Sequence, residues 1–358
     1  MDAVESALHR GVDAADGPIV RAALLRLTDQ PRTQLVLVIH HAAVDGVSWR
    51  IIEDDLVLLL GPDGGSALPA RTMGFFDWAH RVARRAERVD GQALADAWAA
   101  RLGASGAVFA DVPDKQPREG DAVVLTRTVT APALGGADAS VNEVLLTAVG
   151  WSLSRWTGRD DIAIDVEGHG RLERELPVDL SRTVGWFTAI APLRLDVAGC
   201  DAPADALPRV RKAVEDTRGR HLEWGLLRHL GACPADHPLR ALPERQVSFN
   251  YLGVFAAGGE ANPLLSAVPG SLSAEQSPDS RRRYLIDVAA QVSAGDLELA
   301  VKFSPDVHPR ADVERWLDDC VAVVTGLLAA EPEPVVLADL DHDELAMALQ
   351  EVGFGFDD

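Results

Sequence analysis

Four short stretches of this chain join ionisable or polar side chains to glycines where apolar runs end. They are His40-His41-Ala42-Ala43-Val44-Asp45-Gly46 and Glu167-Gly168-His169-Gly170-Arg171, then Ser181-Arg182-Thr183-Val184-Gly185-Trp186-Phe187-Thr188 and Ser248-Phe249-Asn250-Tyr251-Leu252-Gly253. Histidine takes and returns protons near neutral pH, and a suitably placed carboxylate does the same. A histidine and a carboxylate across a cleft suit proton transfer at carbon: one removes a proton from one face, the other supplies one to the opposite face. Such a reaction builds an enolate and needs donors aimed at its oxygen. Asn250, Tyr251 and the backbone N–H groups near Gly46 are the candidates.

Each piece also has a plainer use. One histidine of the pair can pack in a core while Asp45 caps a helix, and Glu167 can be a hydrogen-bonded strand-end carboxylate. His169, between two glycines that let the chain turn tightly, suits a bond to its own backbone. Arg182 is expected to pair with a carboxylate such as Asp45 or Asp179. Trp186, Phe187 and Phe249 read as packing residues, and Tyr251 as a phenol with one satisfied hydroxyl. Other chemistries lack support. No Gly-x-Ser-x-Gly elbow occurs, adjacent histidines diverge too far for a metal, and no glycine-rich phosphate loop follows a first strand.

The elements that must position these residues are legible from periodicity. Gln34–Ile39 is an apolar, β-branched run suited to a strand, and Val47–Leu60 has helical spacing, so the histidine pair lies between strand and helix. A short helix and a strand near Ala22–Leu27 precede it, and Gly61–Pro69 reads as a loop. Helices are predicted at Met73–Glu87, Gln92–Leu102, Val141–Trp156 (capped by Ser140), Ala204–Thr217, Leu222–Leu230 and Asp312–Leu328. Strands are predicted at Ala122–Thr130, Asp161–Val166, Ala189–Leu195, Gln246–Asn250, Tyr284–Gln291 and Leu297–Phe303. This irregular mixture implies an α/β class with mixed, α+β-like sheets.

With 358 residues, 47% of them hydrophobic and 25% charged, the chain has ample core for two lobes. A net charge of −21, spread along its length, argues against a nucleic-acid or anionic-membrane surface. Lysine is scarce, and arginine carries nearly all the positive charge. Three scattered cysteines suit a reducing cytosol rather than a disulfide framework or zinc site, and neither a signal peptide nor a spanning run appears. A cytoplasmic protein is the expectation.

Taken in order, the motifs resemble the condensation-domain superfamily of nonribosomal peptide synthetases. The continuation Val47-Ser48-Trp49-Arg50 resembles its epimerization branch, as do the three later motifs and the helix stretch Asn142-Glu143-Val144-Leu145-Leu146. The resemblance covers about residues 1–330 and implies a chloramphenicol-acetyltransferase-like fold, a two-lobed V with the active site in a tunnel. It divides the chain into a partial N-terminal lobe (1–120), a C-terminal lobe (121–330) and an acidic linker or tail (331–358) with one small helix. The implied activity is epimerization, L to D, at the Cα of an aminoacyl or peptidyl thioester on the phosphopantetheine arm of a carrier protein. A fused or separate carrier domain is the implied partner, and no metal or diffusible cofactor is expected.

Carried over by position, His41 and Glu167 are the implied catalytic residues, with Asn250 and Tyr251 lining the site near the substrate carbonyl. His40, Asp45, Gly46 and Arg182 are implied to be structural, Asp45 bracing its loop through an arginine. Three features depart from the pattern. The usual first segment of the N-terminal lobe, with its Pro-Ile-Gln motif, is not found, which predicts exposed apolar surface. Ala191 stands where a tyrosine is usual, and His221-Leu222-Glu223-Trp224-Gly225 matches its motif poorly. The alternatives are a peptide-bond-forming condensation domain and a non-catalytic or truncated carrier-docking fragment. Because carriers are themselves acidic, docking to so acidic a chain predicts a local arginine patch, at a place the sequence does not name.

Overall fold

A computed structural model describes residues 2–26, 33–61, 67–103, 105–109, 116–130, 141–171, 176–255, 276–293 and 295–330. The expected Ser140 cap and the tail from Glu331 lie outside the described residues. The chain divides into two compact units: residues 1–77, 179–187 and 260–278 form the first, and the remainder forms the second.

In the first unit, α1 (Asp2–Arg10) precedes an antiparallel pair, β1 (Val20–Arg26) and β2 (Thr33–Ile39), in register from Val20↔Ile39 to Arg26↔Thr33. A single 3-10 turn, His41–Ala43, separates β2 from α2 (Gly46–Leu60). Large apolar side chains stay open to solvent on the pair, Leu24 being 72% exposed and Leu35 40%. The helix α3 (Phe75–Ala86) begins here and continues into the second unit.

The second unit adds α4 (Gly91–Leu102), β3 (Val123–Thr130), α5 (Val141–Thr157), β4 (Asp161–Gly168), β5 (Ala189–Asp196), α6 (Pro203–Thr217) and α7 (His221–His229). β6 (Val247–Phe255), β7 (Ile286–Ser293), β8 (Asp296–Phe303) and α8 (Arg310–Ala330) complete it. Its strands form one mixed sheet in the order β3-β8-β7-β6-β4-β5, with β6 parallel to both neighbours and the other pairings antiparallel. Strict alternation of burial along β7 and β8 follows the pleat, whereas β4 is buried over five successive residues, as a central strand covered on both faces must be. α5 is apolar nearly all round and packs against α6 and α8, placing Leu145, Leu146, Val149 and Leu153 in the main core.

β6 runs five residues past the predicted Asn250, because Gly253, at φ 82°, lets the register shift between Tyr251 and Val254 without ending the strand. Residues 78–120 were read with the N-terminal lobe, but most of those described pack within the second unit. Trp98 of α4 lies 5.4 Å from Trp224 of α7, in a small core with Leu102, Leu227 and Ala191. That core gives Ala191 a physical reason: the tryptophans fill the room a larger side chain would need.

Candidate functional site

The first motif is built as a braced loop. The His40 Nδ1 accepts the Ala42 N–H at 3.1 Å, which turns the chain at the end of β2. Asp45 is buried at the start of α2, where its Oδ1 accepts the Ser48 N–H at 2.8 Å and the Ser48 hydroxyl at 2.7 Å. Its Oδ2 accepts the Phe187 N–H at 3.1 Å, and the Ser48 hydroxyl lies 3.0 Å from the Gly185 carbonyl oxygen. Asp45 and Ser48 thereby tie the first motif to the third. Gly46 opens α2 with nothing within 4 Å of a Cβ placed there.

Arg182 pairs with Asp55 and not with Asp45 or Asp179. The Asp179 carboxylate is already occupied by the Ser181 N–H at 3.0 Å and hydroxyl at 2.6 Å, and Asp45 is turned toward Ser48 and Phe187. Phe187 is buried and meets Phe75 edge-on at 5.3 Å. Trp186 is different from its expected packing role: 45% exposed, it sets its ring 4.9 Å from that of His41, itself exposed. Sequence reasoning missed this contact because nothing local distinguishes Trp186 from Phe187.

The second and fourth motifs form a separate group in the second unit. Glu167 sits near the end of β4, paired with Ile190 of β5, and β4 is also parallel to β6. There the Asn250 amide donates to Glu167 Oε2 at 2.7 Å, which joins the fourth motif to the second. Tyr251, one residue on, falls on the other face of the pleat and its ring packs against the main core. The His169 Nδ1 accepts the Arg171 N–H at 3.0 Å, and Gly170 takes the left-handed turn at φ 64°. Gly168 serves a separate need. A Cβ there would meet the His221 ring at 3.2 Å, so any larger residue must push that imidazole back by a few tenths of an ångström.

Asp165, two residues before Glu167, was not singled out from the sequence. It is buried, receives the Tyr284 hydroxyl at 2.8 Å and lies 3.4 Å from an Arg283 nitrogen. Burial pushes its carboxyl above the ordinary range, against the opposing pull of the Tyr284 bond and the Arg283 charge. Burial, and next the charge of Asp165, raise the Tyr284 phenol in turn. The one available sequence signal was an acid at alternate positions of an otherwise apolar strand.

Among the described residues no cluster of three or more His, Cys, Asp or Glu could hold a metal, and no helix is long and apolar enough to cross a membrane.

Residues 2–336 match the family model described as Condensation domain. Chondramide synthase cmdD of Chondromyces crocatus is 31% identical over 97% of this chain, and surfactin synthase subunit 1 of Bacillus subtilis (strain 168) 27% over 95%. The chain spans only 9% and 10% of those relatives' lengths. Among solved structures, the epimerization domain from the third module of tyrocidine synthetase B is 25% identical with a TM-score of 0.79, covering 91% of this chain and 75% of that one. The X-domain from teicoplanin biosynthesis, 18% identical with a TM-score of 0.64 over 93% of this chain and 78% of that one, shares the fold. With the motifs in order on a mixed α/β frame of this kind, the chain belongs to the condensation-domain family of nonribosomal peptide synthetases.

Proposed function

We propose that this condensation-family chain is an epimerization domain, inverting the Cα of an aminoacyl or peptidyl thioester presented on the phosphopantetheine arm of a carrier protein. The observation that carries the reading is the 2.7 Å bond from Asn250 to Glu167. It joins the two motifs that a peptide-bond-forming member has no call for, and it fixes the direction of a strand-end carboxylate. The likeness to the tyrocidine synthetase epimerization domain supports it as well.

A thioester acidifies its Cα–H, which brings the proton within reach of a carboxylate or imidazole. In this reading His41 and Glu167 are the two proton-transfer groups: one takes the Cα proton, the enolate forms on the thioester oxygen, and the other returns a proton to the opposite face. Asn250 is a positioning residue that keeps the Glu167 carboxylate aimed. Asp45 holds the His41 turn in shape from behind, and Trp186 flanks the imidazole.

The test offers an aminoacyl thioester on a carrier domain in heavy water and follows deuterium at Cα. Exchange is expected in the parent protein, absent in His41→Ala and down at least about 100-fold in Glu167→Ala. Exchange unaffected by either substitution overturns the mechanism. Peptide-bond formation with a second loaded carrier would instead make the chain a condensing domain, and carrier binding without exchange a docking module.

A further inference from the structure

Arg81, Arg84, Arg85 and Arg88 fall at i, i+3, i+4 and i+7 on α3 and the turn that closes it, so they share one face. With Val89 and Leu176 they line an open hollow of about 450 Å³. The setting makes this face unusual. Carboxylates outnumber Lys and Arg by 55 to 34 in the chain. On α8 the arginines pair with acids one turn away, Arg310 with Glu314 and Arg315 with Asp312. Arg81, Arg84 and Arg88 have no carboxylate partner among the described residues, and all three are exposed. The helix C-terminus welcomes cations in its last turn, yet four at these spacings repel one another. Such a face is complementary to an acidic helix laid along it, with Val89 and Leu176 in the lining to meet one aliphatic side chain.

We infer that the arginine face of α3 is the docking surface for the carrier domain, which presents an acidic helix to it. The inference rests on the carrier-thioester reading above. It reconciles a chain of net charge −21 with an acidic partner, since attraction is needed only where the two surfaces meet. The contact steers and orients the carrier; it does not touch the reacting carbon.

The experiment compares the parent protein with Arg84→Glu/Arg88→Glu on two substrates, an aminoacyl thioester on a phosphopantetheinylated carrier domain and the same aminoacyl group on free pantetheine. Anisotropy of a labelled carrier gives binding without reference to turnover. The inference expects the carrier Kd and KM to rise about tenfold, with kcat and the pantetheine reaction within about twofold of the parent. It also expects the parent's carrier affinity to fall with added salt and the variant's to fall less. An unchanged carrier Kd overturns it, as does an equal loss on free pantetheine, which would put the arginines in the reaction itself. Displacement of carrier by a single-stranded oligonucleotide of higher affinity would also overturn it, marking the face as a nucleic-acid surface. If the parent exchanges neither substrate, the epimerization reading fails, and the anisotropy comparison still decides the docking surface.

Discussion

β2 delivers His41 from a two-stranded ribbon whose Leu24 is 72% exposed, whereas β4 delivers Glu167 from within a six-stranded sheet in which Ile162 and Ile164 are fully buried. A two-stranded ribbon is marginal by itself, while a strand paired on both sides and buried on both faces holds its register firmly. The two candidate groups are therefore positioned by different means. Glu167 inherits its place from the ladder and needs one further bond, from Asn250. His41 stands on a three-residue turn, and its placement is imposed by hydrogen bonds: Ala42 to His40, and Ser48 and Phe187 to Asp45. Rigid register suits a carboxylate that must not drift, and a braced turn suits an imidazole that must stay accessible.

Four substitutions test that contrast. The largest loss is expected for Ile164→Ala, about 3 kcal/mol from lost burial and the cavity left behind, read by denaturant unfolding of the whole chain. Asp45→Ala strands the Ser48 and Phe187 N–H groups and should cost about 2 kcal/mol. Hydrogen exchange should localise its effect to residues 40–60, sparing β4 and β6; uniform loosening of both regions would break the comparison. Asn250→Ala should slow Cα exchange about tenfold while leaving the unfolding midpoint nearly in place, since an adjacent ladder still holds β6. Leu24→Ala is expected within about 0.5 kcal/mol of the parent, because little apolar area is withdrawn from water there. A loss as large as that of Ile164→Ala would show the ribbon to be covered in solution.

A pH series sharpens the same contrast. The Asp165 carboxyl is raised by burial above its ordinary 3.8, so the folded chain holds that proton more tightly than the unfolded one. Its contribution to stability is full below pH 3.8 and is lost as pH rises through the folded value. Asp165→Asn should flatten that decline, measured as thermal midpoints across the acid range, while keeping an acceptor for the Tyr284 hydroxyl. An unchanged slope would show that the carboxyl is not desolvated.

Much of the second unit could be read from the sequence, since its signals are local and strong. The apolar density after Val141 gives α5 to within one residue, and the run from Asp161 gives β4 short by two. What escaped is what local pattern does not encode. The Tyr284–Asp165 bond joins positions 119 apart, and Asp55 came to Arg182 through tertiary placement of α2 rather than nearness in sequence. Asn250 and Tyr251 look alike as polar neighbours at the end of a short predicted strand. Only the strand's continuation through Gly253 shows that one faces Glu167 and the other the core. The four chemical motifs stood out because glycine and ionisable residues punctuate apolar runs; the Asp45 cap and the His169 backbone bond were legible with them, but the partners distant in sequence had to come from the fold.

The tight seat of the His221 ring on Gly168 has an evolutionary consequence. The glycine that the His221 ring leans on lies next to Glu167. Any side chain at 168 must displace that imidazole by a few tenths of an ångström, so tolerance at one position depends on what occupies the other. In a lineage carrying this sequence the two positions should drift as a pair, and a graft of either motif from a relative should succeed only when both are exchanged together.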